Sequence, residues 1–408
     1  MSLIDIKSHV NDFRKIYLSE LASNIKYVAT ESDLKHPLTW NTHFYADISD
    51  NYILDSDGRV CIIYDKEGHF LRQIGSQGRG PGEYMGVSSV FLIRNKIYIH
   101  DYFSDDLIEF NTDGAFLKKY NNGFTANEKY RVDFHGIVMI NDSMILGHIE
   151  NQSGNEEYKA LIIDKQGQIK YYFKNYVVFK LEPGVDRVRS HGNVIIFNFR
   201  DKIYYKGPLN DTLFQINDQY QINPSYFFDF GSYKEPIAEF GKPWSKRDFS
   251  SYLILNNVFL TSGYLILVCD FGKYFPAKRL RPEIIRLPGH KDIIMHINTP
   301  VVVGVYDKTT KDLVFSEPTT TDNRLFSSGL YNDFDAGPRF VPDKMVNDST
   351  MVMKVRFDYL AEHVRSDDFK NITPKYPDRK ERLEGFVDSL MRVGFDNPVY
   401  MFVTYKTK

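Results

Sequence analysis

Short apolar runs alternate with polar turns along the chain, and one arrangement of them recurs. Residues 64–71 have the pattern of strand, turn and strand, which residues 110–117, 163–169 and, more loosely, 306–313 repeat. Gly68, Gly114 and Gly167 lie in the turns, 46 and 53 residues apart, and glycine suits the left-handed backbone of a tight hairpin. The pattern predicts a β-hairpin repeated at the spacing of propeller blades.

Six regions fit the outer hairpin of such a blade: residues 60–75, 97–120, 160–173, 202–216, 301–316, and 351–360 together with 398–405. They predict an all-β fold, a six-bladed β-propeller over residues 40–408, with residues 1–39 as an N-terminal lead partly packed on it. Closing small sheets into a ring leaves only short edges exposed. We expect strands from both ends of the chain to share a blade.

One helix is expected to interrupt the last blade. Residues 361–384 include 12 charged residues in 24, and apolar residues then recur at helical spacing up to position 391. Pro377 precedes this pattern and Gly394 follows it, as at the two ends of a helix. We predict an inserted α-helix at about 378–393 that packs on the propeller by its apolar side.

The net charge argues against nucleic-acid binding, and the pattern of apolar residues argues against a membrane-spanning helix. Acidic residues number 53 and basic residues 51, so the net charge of −2 provides no positive field for a nucleic-acid backbone. Polar residues interrupt the most apolar stretch, 252–270, which predicts two strands and a turn. Cys61 and Cys269 lie in apolar runs and are expected to be buried, unreactive thiols, although a bridge between them stays open.

A second recurring signal marks where strands begin. Asn141, Asn210 and Asn347 each start an Asn-Asp-Ser or Asn-Asp-Thr sequence that leads into an apolar run. The same residues match the N-glycosylation pattern. We interpret them as turns, because Asn and Asp side chains accept hydrogen bonds from the backbone amides that follow.

Several motifs together resemble a known family. The segment 74–84, Ile-Gly-Ser-Gln-Gly-Arg-Gly-Pro-Gly-Glu-Tyr, is followed in order by similar landmarks at 210–216, 332–338 and 397–400. They resemble a six-bladed β-propeller family abundant in Bacteroidetes and distantly similar to NHL propellers. Ala336 stands where that family commonly has a glycine, which weakens any transfer of function to this turn.

The resemblance also implies a location. Members of the family look like exported lipoproteins of the cell envelope. Residues 1–5 have neither a basic nor an apolar signal region, which fits either a cytoplasmic protein or a signal segment outside this sequence. The resemblance favours the second, a periplasmic or outer-membrane-anchored protein whose natural N-terminus carries a signal and a lipid-bearing cysteine.

Three loops contain the candidate ligand-binding residues. In the glycine-rich loop 75–84, a structural crossing between blades is favoured over a phosphate cradle, because no Gly-Lys-Ser/Thr ending follows; Glu83 and Tyr84 would fix it, and Arg79 could reach a ligand. Asp333 and Asp335 could hold calcium, but a self-capped turn is favoured and no cofactor is predicted. The basic stretch 273–291, with Arg279 and Arg281, could meet an anionic ligand or be a solvated loop. The ligand-binding set is Arg79, Glu83, Tyr84, Asp333, Asp335, Arg279 and Arg281.

No common catalytic motif is present in the sequence, and the histidines do not cluster at metal-ligand spacing. We therefore expect a non-catalytic binding or scaffolding protein of the envelope, whose ligand is a glycan, a peptide or a partner protein. The alternative is a hydrolase or lyase acting on a carbohydrate or lactone, with carboxylates from different blades converging in the central channel. A site assembled from several blades would leave no local motif.

Overall fold

The repeated hairpins correspond to six antiparallel sheets arranged as the blades of a β-propeller. The computed structural model describes residues 1–31, 38, 45–120, 125–127, 130–131, 133–188, 190, 192–275, 283–285, 293–295, 301–318 and 328–407. In the first four blades and into the fifth, the first strand of one blade packs against the first strand of the next. These innermost strands surround the channel, as in other propellers.

The N-terminal elements and the first three blades follow one another along the chain. The N-terminal elements are β1 (Ser2–Asp5), β2 (Phe13–Arg14), α1 (Leu18–Leu21) and β3 (Ala22–Ala29). Blade 1 contains β4 (Tyr45–Ile48), β5 (Tyr52–Ser56), β6 (Cys61–Asp65) and β7 (Phe70–Gln73), and the short strands β8 (Ser76–Gln77) and β9 (Glu83–Tyr84) follow it. Blade 2 contains β10 (Val87–Ile93), β11 (Lys96–Asp101), β12 (Leu107–Asn111) and β13 (Phe116–Tyr120), followed by β14 (Thr125–Asn127) and β15 (Tyr130–Arg131). Blade 3 contains β16 (Asp133–Met139), β17 (Met144–His148), β18 (Tyr158–Asp164) and β19 (Ile169–Lys174).

The last three blades carry the longer insertions. Blade 4 contains β20 (Ile195–Phe199), β21 (Lys202–Lys206), β22 (Thr212–Ile216) and β23 (Ile222–Asp229), followed by α2 (Ile237–Phe240). Blade 5 contains β24 (Ile254–Leu260), β25 (Tyr264–Asp270), β28 (Val301–Asp307) and β29 (Leu313–Ser316), with the hairpin β26 (Glu283–Ile285) and β27 (Ile293–Met295) between its second and third strands. Blade 6 contains β30 (Lys344–Met345), β31 (Thr350–Val355) and β32 (Val399–Tyr405), completed by β3. Short 3-10 turns lie at Lys7–His9, Gly231–Tyr233, Trp244–Lys246, Phe249–Ser251 and Gly272–Tyr274.

Residues 1–29, here called the N-terminal belt, run along the outer edges of three consecutive blades. β1 pairs in parallel with β23 of blade 4, β2 pairs in parallel with β29 of blade 5, and β3 pairs antiparallel with β32 of blade 6. Ile4, Ile16 and Leu18 of the belt are fully buried. Strands from both ends of the chain therefore share a blade, as predicted.

The last blade carries its helices between β31 and β32. These are α3 (Phe357–Arg365), α4 (Asp367–Asn371) and α5 (Pro377–Arg392). The predicted helix at 378–393 corresponds to α5, which begins with Pro377 and buries Leu383 and Val387. Helices α3 and α4 are additional to the prediction, and among the described residues no helix is long and apolar enough to cross a membrane.

The direction of the strands gives the ring two distinct faces. The turn face carries the short turns that follow the innermost strands, at residues 49–51, 94–95, 140–143, 200–201, 261–263 and 346–349. The loop face carries the glycine-rich loop and the helices of blade 6, because these segments leave the opposite ends of the strands. Cys61 and Cys269 are free and buried in blades 1 and 5, so no bridge joins them.

Candidate functional site

The turn face contains a cavity of about 760 Å³ at the mouth of the channel, here called the channel-mouth cavity. Its volume is within the range typical of small-molecule sites. It is lined by turns of blades 1, 3, 4 and 6: Asp50, Ile140, Asn141, Asn198, Phe199, Arg200, Asp201, Ile203, Ile216, Asn217, Asp218, Tyr220, Val346, Asn347, Asp348 and Ser349. A ligand in this cavity would contact blades on opposite sides of the ring.

The lining turns are tight because their polar side chains bond their own backbone. Asn141 Oδ1 accepts from the amides of Ser143 and Met144, and Asn347 Oδ1 accepts from the amides of Ser349 and Thr350. The predicted turn role of these Asn-Asp-Ser sequences is confirmed. Such turns hold the groups at the cavity wall on a rigid scaffold.

Two hydrogen bonds join blades across the mouth. The backbone amide of Arg200 in blade 4 donates to Asp348 Oδ1 in blade 6 at 2.9 Å. Asn347 Nδ2 in blade 6 donates to Asp50 Oδ1 in blade 1 at 2.7 Å. These contacts fix the relative positions of the walls, so the cavity is formed before any ligand enters it.

Other polar groups of the cavity remain available to a ligand. The side chains of Asn198, Asp201 and Asp218 make no hydrogen bond to another described residue. The Arg200 guanidinium lies 5.3 Å from the centre of the Phe199 ring, and the Tyr220 ring lies 4.6 Å from that of Tyr171. The wall thus offers carboxylate and amide oxygens as acceptors, amide and guanidinium donors, and aromatic surface.

The channel has a second set of polar groups toward the loop face. Asp343 directly precedes the innermost strand of blade 6, keeps solvent-accessible surface, and accepts from the backbone amide of Lys354 at 2.7 Å. Asp343 is exposed to solvent, but the surrounding protein partly desolvates its carboxyl and raises the pKa of Asp343 to about 7. Nearby in sequence, Lys344 Nζ lies 2.7 Å from Asp47 Oδ1, which joins blades 6 and 1.

A buried network lies between blades 6 and 1. Lys354 Nζ is 2.8 Å from Asp55 Oδ1, and the Tyr400 hydroxyl donates to Asp55 Oδ2 at 2.5 Å. The side chains of Lys354 and Asp55 are 7% and 0% exposed. Because both side chains are buried, removing either charge would leave the other without a counter-charge and would destabilise the junction between the two blades.

Two of the sequence-predicted site residues hold the glycine-rich loop together. Glu83 Oε2 accepts from the amide of Gly80 at 2.6 Å. The Tyr84 hydroxyl donates to the carbonyl of Ile74 at 3.0 Å and accepts from the amide of Cys61 at 3.1 Å, and its side chain is fully buried. These contacts match the structural crossing described for this loop, and the ligand-binding roles of Glu83 and Tyr84 stay predictions.

Replacing Tyr84 with phenylalanine is expected to lower the free energy of unfolding by about 1–3 kcal/mol, because a buried amide and a buried carbonyl lose their partner. Chemical denaturation measures this change. The control is Tyr176→Phe, since Tyr176 is 78% exposed and its variant should leave stability unchanged. Equal stabilities for the two variants would contradict the anchoring role of Tyr84.

Asp333 and Asp335 tie the belt to the loop face. Asp333 accepts from the backbone amide of Ser19 at 2.9 Å and from its hydroxyl at 2.5 Å. Asp335 Oδ1 accepts from Asn332 Nδ2 at 2.7 Å and from the amide of Gly337 at 2.8 Å, and burial raises the pKa of Asp335 to about 6. Within the described ranges, no group of three or more His, Cys, Asp or Glu residues could hold a metal ion.

The remaining predicted residues differ in how far the structure describes them. Arg79 is exposed on the loop face and lines a groove beside blade 2. Arg279 and Arg281 lie outside the described residues. The ligand-binding roles of Arg79, Arg279 and Arg281 stay predictions.

The residues of the channel-mouth cavity were not singled out as a site from the sequence. The sequence does contain a signal for this site: the same Asn-Asp pair, at Asn141-Asp142 and Asn347-Asp348, occupies the corresponding turns of two blades. Turn chemistry accounted for both sequences locally, and only the closed ring shows that the turns converge on one cavity.

Comparison with solved structures supports the fold. A protein of Bacteroides fragilis, described as a candidate exported protein, has a TM-score of 0.60 and 16% identity, and the match covers 99% of this chain and 100% of that one. A member of the DUF4221 family from Bacteroides vulgatus has a TM-score of 0.53 and 10% identity, covering 95% and 97%. At these identities the likeness extends to the fold alone.

A streptogramin B lyase also matches, with a TM-score of 0.39 and 11% identity over 75% of this chain and 78% of that one, which is too low to support any argument about activity. No curated protein matches this sequence. The resemblance to six-bladed propellers of Bacteroidetes is confirmed. A family model described as a domain of unknown function, DUF4934, matches residues 1–404, and the chain belongs to this family.

Proposed function

We propose that this chain is a non-catalytic binding propeller of the bacterial cell envelope and that its channel-mouth cavity binds a neutral glycan. The observation that carries the proposal is the cavity itself, about 760 Å³ in volume and lined by polar turns from four blades. Ligand sites combine a formed cavity with a small number of convergent polar groups, and this one has both.

The chemistry of the wall favours a ligand rich in hydroxyl groups. The carboxylates of Asp201 and Asp218 can each accept two hydroxyl donors, and the Asn198 amide can both donate and accept. The ring of Tyr220 offers apolar surface for the C–H face of a sugar ring. Four aspartates against one arginine in the lining disfavour an acidic ligand, since like charges repel.

The envelope location rests on relatives of the same fold. The Bacteroides fragilis protein is described as a candidate exported protein, and a glycan-binding protein of such a bacterium would meet its ligand outside the cytoplasm. A lipid anchor supplied by a natural N-terminal segment belongs to the same proposal. Globomycin sensitivity and palmitate labelling of the natural protein would test the anchor separately from the binding site.

A thermal-shift screen with neutral oligosaccharides tests the binding site, because a ligand that binds only the native state raises the melting temperature. For a glycan that binds, Asp218→Ala and Asn198→Ala are each expected to weaken affinity roughly tenfold, as each removes hydrogen bonds worth about 1–2 kcal/mol. Isothermal titration calorimetry measures the change.

The matched control is Asp312→Ala. Asp312 lies in the outer turn of blade 5 on the same face, is exposed, and is not part of the cavity lining. This variant should bind as the natural chain does. A glycan whose affinity is equally insensitive to all three substitutions would show that the cavity is not its site, and binding of a peptide instead of any glycan would contradict the ligand class.

The second candidate function is a hydrolase or lyase acting on a carbohydrate or lactone. Asp343 favours it, because a channel carboxyl with a pKa of about 7 could act as a general acid or base near neutral pH. Turnover of a compound in the same screen that is lost in Asp343→Asn, but retained in Asp218→Ala, would favour the enzyme over the binding protein.

A further inference from the structure

The outer edges of the blades accept additional strands. In blades 4 and 5, the belt adds β1 beside β23 and β2 beside β29 in parallel, so that each of these sheets has five strands. The register of the first pair extends over four residues, from Ser2 opposite Tyr226 to Asp5 opposite Asp229. An extended segment can therefore be held at this position of a blade mainly by main-chain hydrogen bonds.

Blade 2 presents the same edge without a fifth strand. β13 is the last strand of its sheet, and no described strand pairs with its outer side. An edge strand directs alternate N–H and C=O groups outward. Phe116, Leu117 and Lys118 of β13 are exposed, so the edge is open to a partner.

A groove of about 870 Å³ lies along this edge, here called the blade 2 groove. One wall is the continuous segment 116–119 of β13, and the other includes Arg79, Gly80 and Pro81 of the glycine-rich loop. Ser104 and Asp106 complete the lining. The groove is shallow and open, with a strand on one side and a loop on the other, so there is room for an extended chain along β13.

The groove is positively charged. It contains Arg79, Lys118 and Lys119 against one acidic residue, Asp106, which lies 2.8 Å from Lys119 Nζ. Arg79 makes no ion pair with any described residue, and Lys118 Nζ lies 4.9 Å from the centre of the Tyr120 ring. Within the described ranges, two cations therefore remain without a carboxylate, while Phe116 and Leu117 add apolar surface.

The edges of the neighbouring blades are less suited to a partner. In blade 1, Glu31 occupies the start of the edge, since its amide donates to the Gly68 carbonyl and its carboxylate accepts from the Phe70 amide, both at 2.8 Å. In blade 3, Lys170 is neutralised by Asp164 at 2.9 Å. Blade 2 combines an open strand, a groove and uncompensated positive charge.

We propose that the blade 2 groove binds an extended acidic peptide, which pairs with β13 as a fifth strand. The main-chain groups of β13 provide the hydrogen bonds, Arg79 and Lys118 attract the carboxylates, and Phe116 with Leu117 contacts alternate apolar side chains. This surface is on the loop face and separate from the channel-mouth cavity, so the proposal does not depend on glycan binding.

Fluorescence anisotropy with a labelled peptide of alternating Glu and Val tests the proposal. This peptide should bind, and more weakly as salt increases, since exposed charges are screened. A version N-methylated at alternate residues keeps the charge but loses the donors of one strand edge, and should not bind. A peptide of alternating Lys and Val should not bind either.

Two charge-reversal variants test whether the peptide binds in the blade 2 groove. Arg79→Glu and Lys118→Glu are each expected to weaken binding by roughly tenfold or more, as a charge-assisted contact becomes a repulsion. The matched control is Lys174→Glu, because Lys174 is exposed on the outer strand of blade 3 and lies near Tyr176 as Lys118 lies near Tyr120. This control should bind the peptide unchanged, and circular dichroism should show all three variants folded.

Three results would overturn the proposal. The Glu-Val peptide could fail to bind, or all three variants could bind it equally. The N-methylated peptide could bind as well as the parent, which would show charge attraction without strand pairing. If polygalacturonate then bound to the natural chain but not to Arg79→Glu, the groove would be a site for an acidic glycan and not for a peptide.

Discussion

Replacing Lys354 with methionine is expected to lower the free energy of unfolding by about 3–5 kcal/mol, the cost of breaking a buried ion pair from one side. Lys354 Nζ lies 2.8 Å from Asp55 Oδ1, and both side chains are buried between blades 6 and 1. Methionine fills similar space but leaves the Asp55 carboxylate without its cation. The Tyr400 hydroxyl, which donates to Asp55 at 2.5 Å, cannot neutralise that charge.

Urea denaturation of two further variants separates charge from packing. The double variant Lys354→Met with Asp55→Leu should recover part of the lost stability, because the unpaired charge is gone while the Tyr400 hydroxyl loses this acceptor. Arg382→Met provides the exposed control, since Arg382 and its partner Asp378 on α5 are 69% and 71% exposed, and it should change stability by less than about 1 kcal/mol. If Lys354→Met lowered the free energy of unfolding no more than Arg382→Met does, the stabilising role of the buried pair would be contradicted.

Replacing Gly68 with alanine is expected to destabilise the protein by about 2–5 kcal/mol, the sum of left-handed backbone strain and overpacking. Gly68 has a φ of +93° in the turn of blade 1. A Cβ there would lie 2.1 Å from the carbonyl oxygen of Ala29 at the end of β3, where backbone cannot move aside cheaply. The residue thus allows the belt to approach blade 1 closely.

Gly114 provides the matched control because it occupies the same turn in blade 2, with a φ of +79°. Its added Cβ would lie 3.2 Å from Cδ of the flexible Arg72 side chain, and the nearest backbone atom, the Gln73 carbonyl oxygen, would be 3.7 Å away. Gly114→Ala should therefore cost about 1–2 kcal/mol, the backbone strain alone. Urea midpoints for the two variants measure the difference, and equal losses would show that contact with the belt adds nothing at Gly68.

The ring of six blades could be predicted from the sequence because each blade repeats the same local chemistry. Gly68, Gly114 and Gly167 all have the positive φ that their turns require, and the stretch 252–270 forms β24 and β25 as expected. Such signals depend on a few consecutive residues. Because the sequence repeat is about as long as one propeller blade, it predicts a closed ring of blades without any knowledge of long-range contacts.

The sequence does not reveal β1, β2, α3 or α4, for different reasons. β1 and β2 contain four and two residues and pair in parallel with strands hundreds of positions away, so neither hydrophobic alternation nor a turn marks them. Helix α3 begins at Phe357, only two residues after β31 ends at Val355. Its apolar residues extend the run of the strand, which hides the change of period.

The candidate site was predictable only in part. The sequence predicts that Arg79 could reach a ligand, and Arg79 is exposed in the blade 2 groove. The channel-mouth cavity depends on which turns of blades 1, 3, 4 and 6 meet around the axis. That relation follows from closure of the ring, and no single stretch of residues encodes it.

The belt also makes completion of the ring depend on both ends of the chain. Ile4 pairs opposite Phe228, and Ala22 pairs opposite Tyr405. β3 therefore has no partner strand until β32 is in place. Blade 6 cannot be completed in any fragment that lacks either end of the chain.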